Sequence, residues 1–232
     1  MRISSPVKHA LIAAIATSIT FGCNTPQTQP TPPSIPCQPC PELDSLPLSQ
    51  EDIIDSDMSL EEALTGIEIP GHIIDQLTII DIKYIGYDRH RHRGQIVCNR
   101  SVAGDLSLIF EKLFRDSFPI EKIIPVTKYN WSDSLSMLDN NTSCFNYRLV
   151  SGGHSLSQHS LGRAVDINPR NNPYFAKYDT VGQPITGIYD TLQPGTIVPH
   201  SNVVKYFRQY GWHWGGSWRG NKDYQHFSRF GG

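Results

Sequence analysis

A proline-rich stretch near the N-terminus constrains the fold of this chain most strongly. Eight of the 17 prolines lie between Asn24 and Gln50, among threonine, glutamine and serine residues. Such a stretch buries too little apolar surface to offset the entropy cost of folding, so it stays extended. We therefore predict a linker over residues 23–50 and one folded domain over residues 51–232, a length that suits a single hydrophobic core.

The residues before the linker have the pattern of an export signal. Met1, Arg2 and Lys8 make a positive start, and an apolar run from Ala10 to Phe21 is too short for a permanent membrane span. We predict a signal peptide over residues 1–22. Gly22 before Cys23 resembles a bacterial lipoprotein signal, and a simple cleaved signal is the alternative. We expect an exported protein at the periplasmic face of the cell envelope, anchored in the outer membrane by a lipid on Cys23.

Charge and cysteine content narrow the classes of partner. The net charge is -2, with 20 basic and 22 acidic residues, so there is no basic excess and we expect no nucleic-acid partner. Cys37 and Cys40 have no second pair with zinc-site spacing, which favours a local disulfide or two exposed thiols. Cys98 and Cys144 are candidates for a bridge in an exported protein, and the sequence leaves that pairing open.

The folded part mixes helix and strand patterns. Ser59 followed by Glu62 predicts a helix start, and apolar spacing predicts an amphipathic helix over 102–118. A second helix is expected over 201–210. His90 and His92 lie in an arginine-rich turn and are predicted to be solvated. Strands are expected at 77–87, 95–98, 123–127, 144–150, 161–168, 211–214 and 224–229. Without a regular βαβ alternation, the predicted class is α+β with a central antiparallel sheet.

One predicted strand carries the residues of a metal site. Gly162, Ala164 and Asp166 alternate onto one face of the strand over 161–168, where the two small residues leave room beside the carboxylate. His159 precedes this strand and can fold over the same face. An imidazole and a carboxylate supply two of the three protein ligands of a catalytic zinc site. The last strand offers His226 as the third.

A separate carboxylate completes the set that a zinc hydrolase needs. Asp223 lies three residues before His226 and can stand beside the metal without binding it. Three protein ligands leave the fourth position of one zinc ion for water, whose pKa zinc lowers to about 7. Asp223 would take the proton of that water and pass it to the leaving amine.

These motifs resemble one known family. The pattern Ser-x-His-x-x-Gly-x-Ala-x-Asp at 157–166, with Asp-x-x-His at 223–226, looks like the VanY-type metallopeptidases. This family includes D-Ala-D-Ala carboxypeptidases and L-alanyl-D-glutamate endopeptidases. The resemblance covers about residues 60–230, and segments 88–97, 140–148, 166–174 and 211–218 are similar to one branch. It implies a Hedgehog/DD-peptidase-like fold, zinc ligands at His159, Asp166 and His226, and an acid/base at Asp223.

The resemblance also implies roles around the metal. Arg148 matches an arginine that polarises the scissile carbonyl or binds a substrate carboxylate, and a structural salt bridge is the alternative. Ser157 is expected to hydrogen-bond substrate or the ligand shell. Trp214 is expected to bind substrate, since either it or Trp218 should form a wall of the cleft. His213 is expected to line the cleft or to pack.

The implied function is hydrolysis of amide bonds in peptidoglycan stem peptides, with one Zn²⁺ per chain. The target is either the D-Ala-D-Ala bond, cut as a carboxypeptidase, or the L-Ala-D-Glu bond, cut as an endopeptidase. The alternative is a catalytically silent, zinc-containing module on the same fold that binds the wall or signals. The presence of Asp223 favours the enzyme, because a silent module does not need the base.

Overall fold

The computed structural model describes residues 51–150 and 155–230. Its strands are β1 (Ile53–Ile54), β2 (Leu77–Ile85), β3 (Arg91–Asn99), β4 (Ala164–Asp166), β5 (Tyr174–Phe175), β6 (His213–Trp214), β7 (Lys222–Asp223) and β8 (His226–Ser228). Its helices are α1 (Leu60–Ala63), α2 (Gly71–Ile74), α3 (Arg100–Arg115), α4 (Asp133–Leu138) and α5 (Asn202–Gln209).

Several predictions fall outside these residues. The signal peptide, the lipidated Cys23, the linker and the Cys37–Cys40 pair all belong to residues 1–50. They stay predictions. Within residues 51–150 and 155–230, no helix has both the length and the apolar character needed to cross a membrane.

Local sequence signals set the helix starts. The Ser59 hydroxyl accepts a hydrogen bond from the Glu62 backbone N–H, and the Glu62 carboxylate accepts one from the Ser59 backbone N–H at 2.7 Å, so the predicted capping box is present. Asn99 caps α3 in the same way through the Ser101 N–H. The predicted apolar stripe of α3 is buried, and α3 packs on the β2–β3 hairpin.

The predicted α+β class is confirmed, with the pairing divided among three small sheets. The first has the order β1-β3-β2, in which β2 and β3 are antiparallel from Leu77 opposite Asn99 to Ile85 opposite Arg91. The second is antiparallel with the order β4-β8-β6. The third pairs β5 with β7. The second sheet carries Asp166 and His226, and the third carries Asp223.

The hydrophobic core lies between α3, α5, the hairpin and the second sheet. Phe207 of α5 stacks on Phe227 of β8 at a centroid distance of 4.0 Å, which fixes the strand that carries His226. Cys98 and Cys144 belong to the same core and are buried free thiols. Burial raises the pKa of Cys98 to about 12, so this thiol is inert at neutral pH.

Two predicted strands are wrong. Residues 123–127 do not form a strand; the Ile123 carbonyl instead accepts one hydrogen bond from the Gln95 N–H at 3.0 Å, and Pro125 has no N–H to extend a ladder. This approach depends on Gly94, because a Cβ there would lie 2.0 Å from the Ile123 oxygen. Residues 144–150 also lack a continuous strand, and isolated bridges form only at Ser143, just before them, and at Leu149.

The prediction of a solvated His92 is also wrong. His90 is exposed, but His92 is buried between two carboxylates, with Asp55 at 2.9 Å on Nδ1 and Asp88 at 3.2 Å on Nε2. Its ring stacks on Tyr84 at 5.1 Å. Asp55 comes from the segment that follows β1, so the turn sequence alone could not reveal this environment.

Candidate metal centre

His159 lies in a short 3₁₀ turn over Gln158–Leu161. The Ser157 hydroxyl accepts a hydrogen bond from the His159 N–H at 3.2 Å and caps the turn. Gly162 ends it in the left-handed region with a φ of 63°. The predicted place of Gly162 on the strand is therefore wrong, and β4 begins at Ala164. A Cβ at Gly162 would also lie 2.5 Å from the Asn99 nitrogen, so only glycine fits.

The ring of His159 is held in one tautomer. Its Nδ1 lies 2.7 Å from the Cys144 carbonyl oxygen. A carbonyl can only accept, so Nδ1 carries the proton and Nε2 presents its lone pair. Metal-binding histidines are oriented by such a second hydrogen bond.

The side chains of three residues meet at one buried point. Asp166 of β4 lies directly opposite His226 of β8 in the antiparallel register. The His226 Nδ1 is 3.0 Å from one Asp166 oxygen, and the His159 Nε2 is 3.3 Å from the other. The two imidazole nitrogens are 3.2 Å apart. All three residues are buried.

The spacing and the donor types fit zinc. Zinc bound tetrahedrally at 2.0–2.1 Å places its ligand atoms about 3.3 to 3.4 Å apart. The His159 and His226 nitrogens are 3.2 Å apart, which is close to this value, and the three residues offer one ligand atom each within 4.8 Å of the others. Two imidazoles and one carboxylate are a set that catalytic zinc uses. The cluster is therefore compatible with one metal ion.

Electrostatics keep the Asp166 carboxyl ionised. Burial by itself raises the pKa of Asp166, but the charge and hydrogen bonds of His159 and His226 outweigh it and hold the pKa well below its usual range. Burial likewise lowers the pKa of His159, while the Asp166 charge outweighs burial and raises it. The carboxylate is thus available as a ligand at any pH near neutrality.

Asp223 has the opposite character. It lies on β7, and burial raises its pKa to about 7, with the His226 charge opposing and the Asp166 charge adding to the rise. Its Oδ1 is inaccessible to solvent and has no partner in the described part of the chain. Gly215 makes room for it, because a Cβ there would lie 2.6 Å from the Asp223 carbonyl oxygen. A partly buried carboxyl with a pKa near neutrality suits a general base.

Further unpaired polar atoms surround the cluster. These atoms belong to site residues, to residues next to them in the sequence, or to residues that form hydrogen bonds with them. Buried polar atoms without a partner are rare in folded proteins and indicate an interaction with something else. Sequence reasoning assigned no role to Asn146 or Gln225, although Asn146 lies in segment 140–148, which resembles one branch of the family. Those without a partner in residues 51–150 and 155–230 include Arg148 Nε, Asn146 Oδ1, Gln158 Oε1 and Gln225 Oε1.

The predicted substrate residues lie close to the site in different ways. Arg148 forms an ion pair with Asp133 at 3.2 Å, so the structural salt bridge is present, while its charge also acts on the pKa of Asp223. Trp214 is buried, and its indole N–H donates to the Tyr224 carbonyl at 2.8 Å. Trp218 packs against the ring of His226 at 5.6 Å. The roles of Arg148, Ser157 and Trp214 in catalysis or binding stay predictions.

Comparison with known proteins identifies the family of this region. Residues 151–229 match the peptidase M15 family model described as D-alanyl-D-alanine carboxypeptidase, which spans His159, Asp166, Asp223 and His226. Neither the curated proteins nor the solved structures contain a match. The matched segment covers about a third of the chain. The match confirms, for residues 151–229, the resemblance to VanY-type peptidases that their motifs predicted.

Proposed function

We propose that this chain hydrolyses amide bonds in the stem peptides of peptidoglycan, with one zinc ion held by His159, Asp166 and His226. The observation that carries the proposal is the pairing of two groups. One is the buried His–Asp–His cluster, whose ligand atoms lie within 4.8 Å of one another, and the other is the separate Asp223 carboxyl, whose pKa is raised to about 7. The family of residues 151–229 supports a peptidase that acts on the cell wall.

The residues divide the work of hydrolysis. Zinc, when bound, would supply a Lewis acid that polarises the scissile carbonyl and acidifies water. Asp223 accepts a proton from the attacking water as the new C–O bond forms. The same carboxyl returns that proton to the nitrogen when the C–N bond breaks, so the products are a free carboxylate and an amine. Arg148 stabilises the negative charge that develops on the carbonyl oxygen.

The environment of Asp223 favours an enzyme over a catalytically silent module. A zinc site that only binds or signals needs its three ligands and gains nothing from burying a second carboxyl beside them. Burial of a carboxyl oxygen that has no hydrogen-bond partner, as with Asp223 Oδ1, costs stability. The presence of Asp223 in this environment is therefore best explained by proton transfer.

We further propose that the enzyme works at the periplasmic face of the envelope. The signal pattern of residues 1–22 and Cys23 support export and lipid anchoring, and the proline-rich linker would let the domain reach the wall. Membrane fractionation of cells that make the wild type or Cys23→Ser tests this idea. Wild type in the membrane fraction and Cys23→Ser in the soluble periplasmic fraction is the expected result. An equal distribution contradicts the anchor.

Digestion of purified muropeptides with zinc, followed by mass spectrometry, tests the activity. Wild type should release either D-Ala or a peptide that begins with D-Glu, and the product mass identifies the bond. Asp223→Asn should lose activity by at least about 100-fold, the lower range for a general base. Asp179→Asn, an exposed aspartate given the same chemical change, is the matched control. Absence of any cleavage by zinc-loaded wild type refutes the enzymatic proposal.

A further inference from the structure

A cavity borders Trp218, whose ring packs against His226 of the metal centre. This cavity of about 520 Å³ opens at the C-terminal end of α5 and along β6. This volume is in the range of small-ligand sites. Its aromatic walls are Trp212, Trp214 and Trp218, and its polar groups come from Arg208, His213 and Ser217.

One side chain joins this cavity to the metal centre. Trp218 lines the cavity, and its ring also packs against the His226 ring at 5.6 Å with an interplanar angle of 54°. A group in the cavity is thus separated from a metal ligand by a single indole ring. An extended substrate that reaches the metal centre can therefore place a neighbouring group in the cavity.

The charge in the cavity is positive and uncompensated. Arg208 is exposed and forms no ion pair with any residue in the described ranges. None of the described residues that line the cavity is acidic. A planar guanidinium binds a carboxylate through two parallel hydrogen bonds, and the tryptophan rings that line the cavity offer apolar surface to the rest of the ligand. The exposed His213 and Ser217 add polar partners at the rim.

We propose that this cavity is a substrate subsite that binds a free carboxylate of the stem peptide through Arg208, while the adjoining apolar part of the peptide packs on Trp218. The idea rests on the proposed function, because it takes the substrate class from that proposal. It adds a specificity determinant outside the zinc ligands. Peptides whose free carboxylate reaches this cavity bind better than peptides in which that carboxylate is amidated.

Binding measurements separate this subsite from catalysis. Isothermal titration calorimetry on zinc-loaded Asp223→Asn protein gives the affinity for a muropeptide with free carboxylates and for the same muropeptide with amidated carboxylates. Adding Arg208→Gln should weaken binding of the free form roughly three- to tenfold, the range for a partly exposed charged hydrogen bond. It should leave the affinity for the amidated form unchanged. Arg208→Lys should restore part of the loss, because it keeps the charge but not the bidentate geometry.

Matched controls identify a merely structural effect. Arg89→Gln removes an exposed arginine from the β2–β3 turn, outside the cavity, and should leave both affinities unchanged. Thermal melting of each variant shows whether it folds. If Arg208→Gln does not fold, the comparison of the two muropeptides is made with Arg208→Lys instead. Equal weakening for both muropeptides, or none, overturns the subsite. If wild type cleaves nothing, the proposed function fails, and the calorimetry still decides whether Arg208 binds the carboxylate.

Discussion

Replacing Asp223 with asparagine should change stability in a way that depends on pH. Asparagine has nearly the same shape but cannot ionise. In the metal-free protein, burial raises the folded-state pKa of Asp223 from 3.8 to about 7. Above pH 4 the unfolded state loses this proton while the folded state keeps it, so wild-type stability falls as pH rises towards 7.

The magnitude follows from the two pKa values. Each pKa unit corresponds to about 1.4 kcal/mol, so the displacement from 3.8 to about 7 corresponds to about 4 kcal/mol at most. At pH 4 the two proteins should differ in their free energy of unfolding by a constant offset. By pH 8 the free energy of unfolding of Asp223→Asn should have risen, relative to wild type, by up to about 4 kcal/mol.

Urea unfolding of chelator-treated protein at pH 4, 6 and 8 measures this difference. Asp179→Asn, an exposed site, should show a difference from wild type that stays constant with pH. A difference between Asp223→Asn and wild type that is equally constant would refute the reasoning. It would mean that the carboxyl is solvated in the metal-free protein.

Three other changes test the site and its support. His159→Ala should abolish the rise in melting temperature that added zinc gives the wild type, because one of three ligands is lost; a retained rise would exclude His159 as a ligand. Gly215→Ala should reduce the rate of muropeptide cleavage by more than its loss of folded protein explains, because its Cβ would displace the Asp223 backbone. Parallel activity and melting assays compare the two losses. Phe207→Ala should lower the free energy of unfolding by about 3 to 5 kcal/mol in urea titration, through the loss of its core stacking.

The sequence predicted the ligand cluster better than it predicted the backbone around it. His159, Asp166 and His226 fall in motifs of fixed spacing, and the structure brings them together. The strand expected over 161–168 was too long, because a 3₁₀ turn and the left-handed Gly162 take its first residues. An alternating pattern over so few residues does not distinguish a strand from a capped turn.

The remaining misses depend on contacts between distant segments. The environment of His92 needs Asp55 from the segment after β1, and the close approach of Ile123 to β3 needs the absence of a side chain at Gly94. Neither relation appears as a local pattern. Arg208 belongs to no sequence motif, and its place in the lining of a cavity is visible only in the structure.

The wide sequence separation of the ligands has a consequence for the order of events during synthesis. His159 and His226 are 67 positions apart, and β4 gains its Asp166–His226 pairing only when β8 is present. A growing chain that has reached Asp166 holds two of the three ligands, but it has neither the third nor the base. In the proposed enzyme, metal binding and catalysis would therefore both begin only after β7 and β8 have been made. A stalled or truncated product that lacks those strands would be inert towards the cell wall.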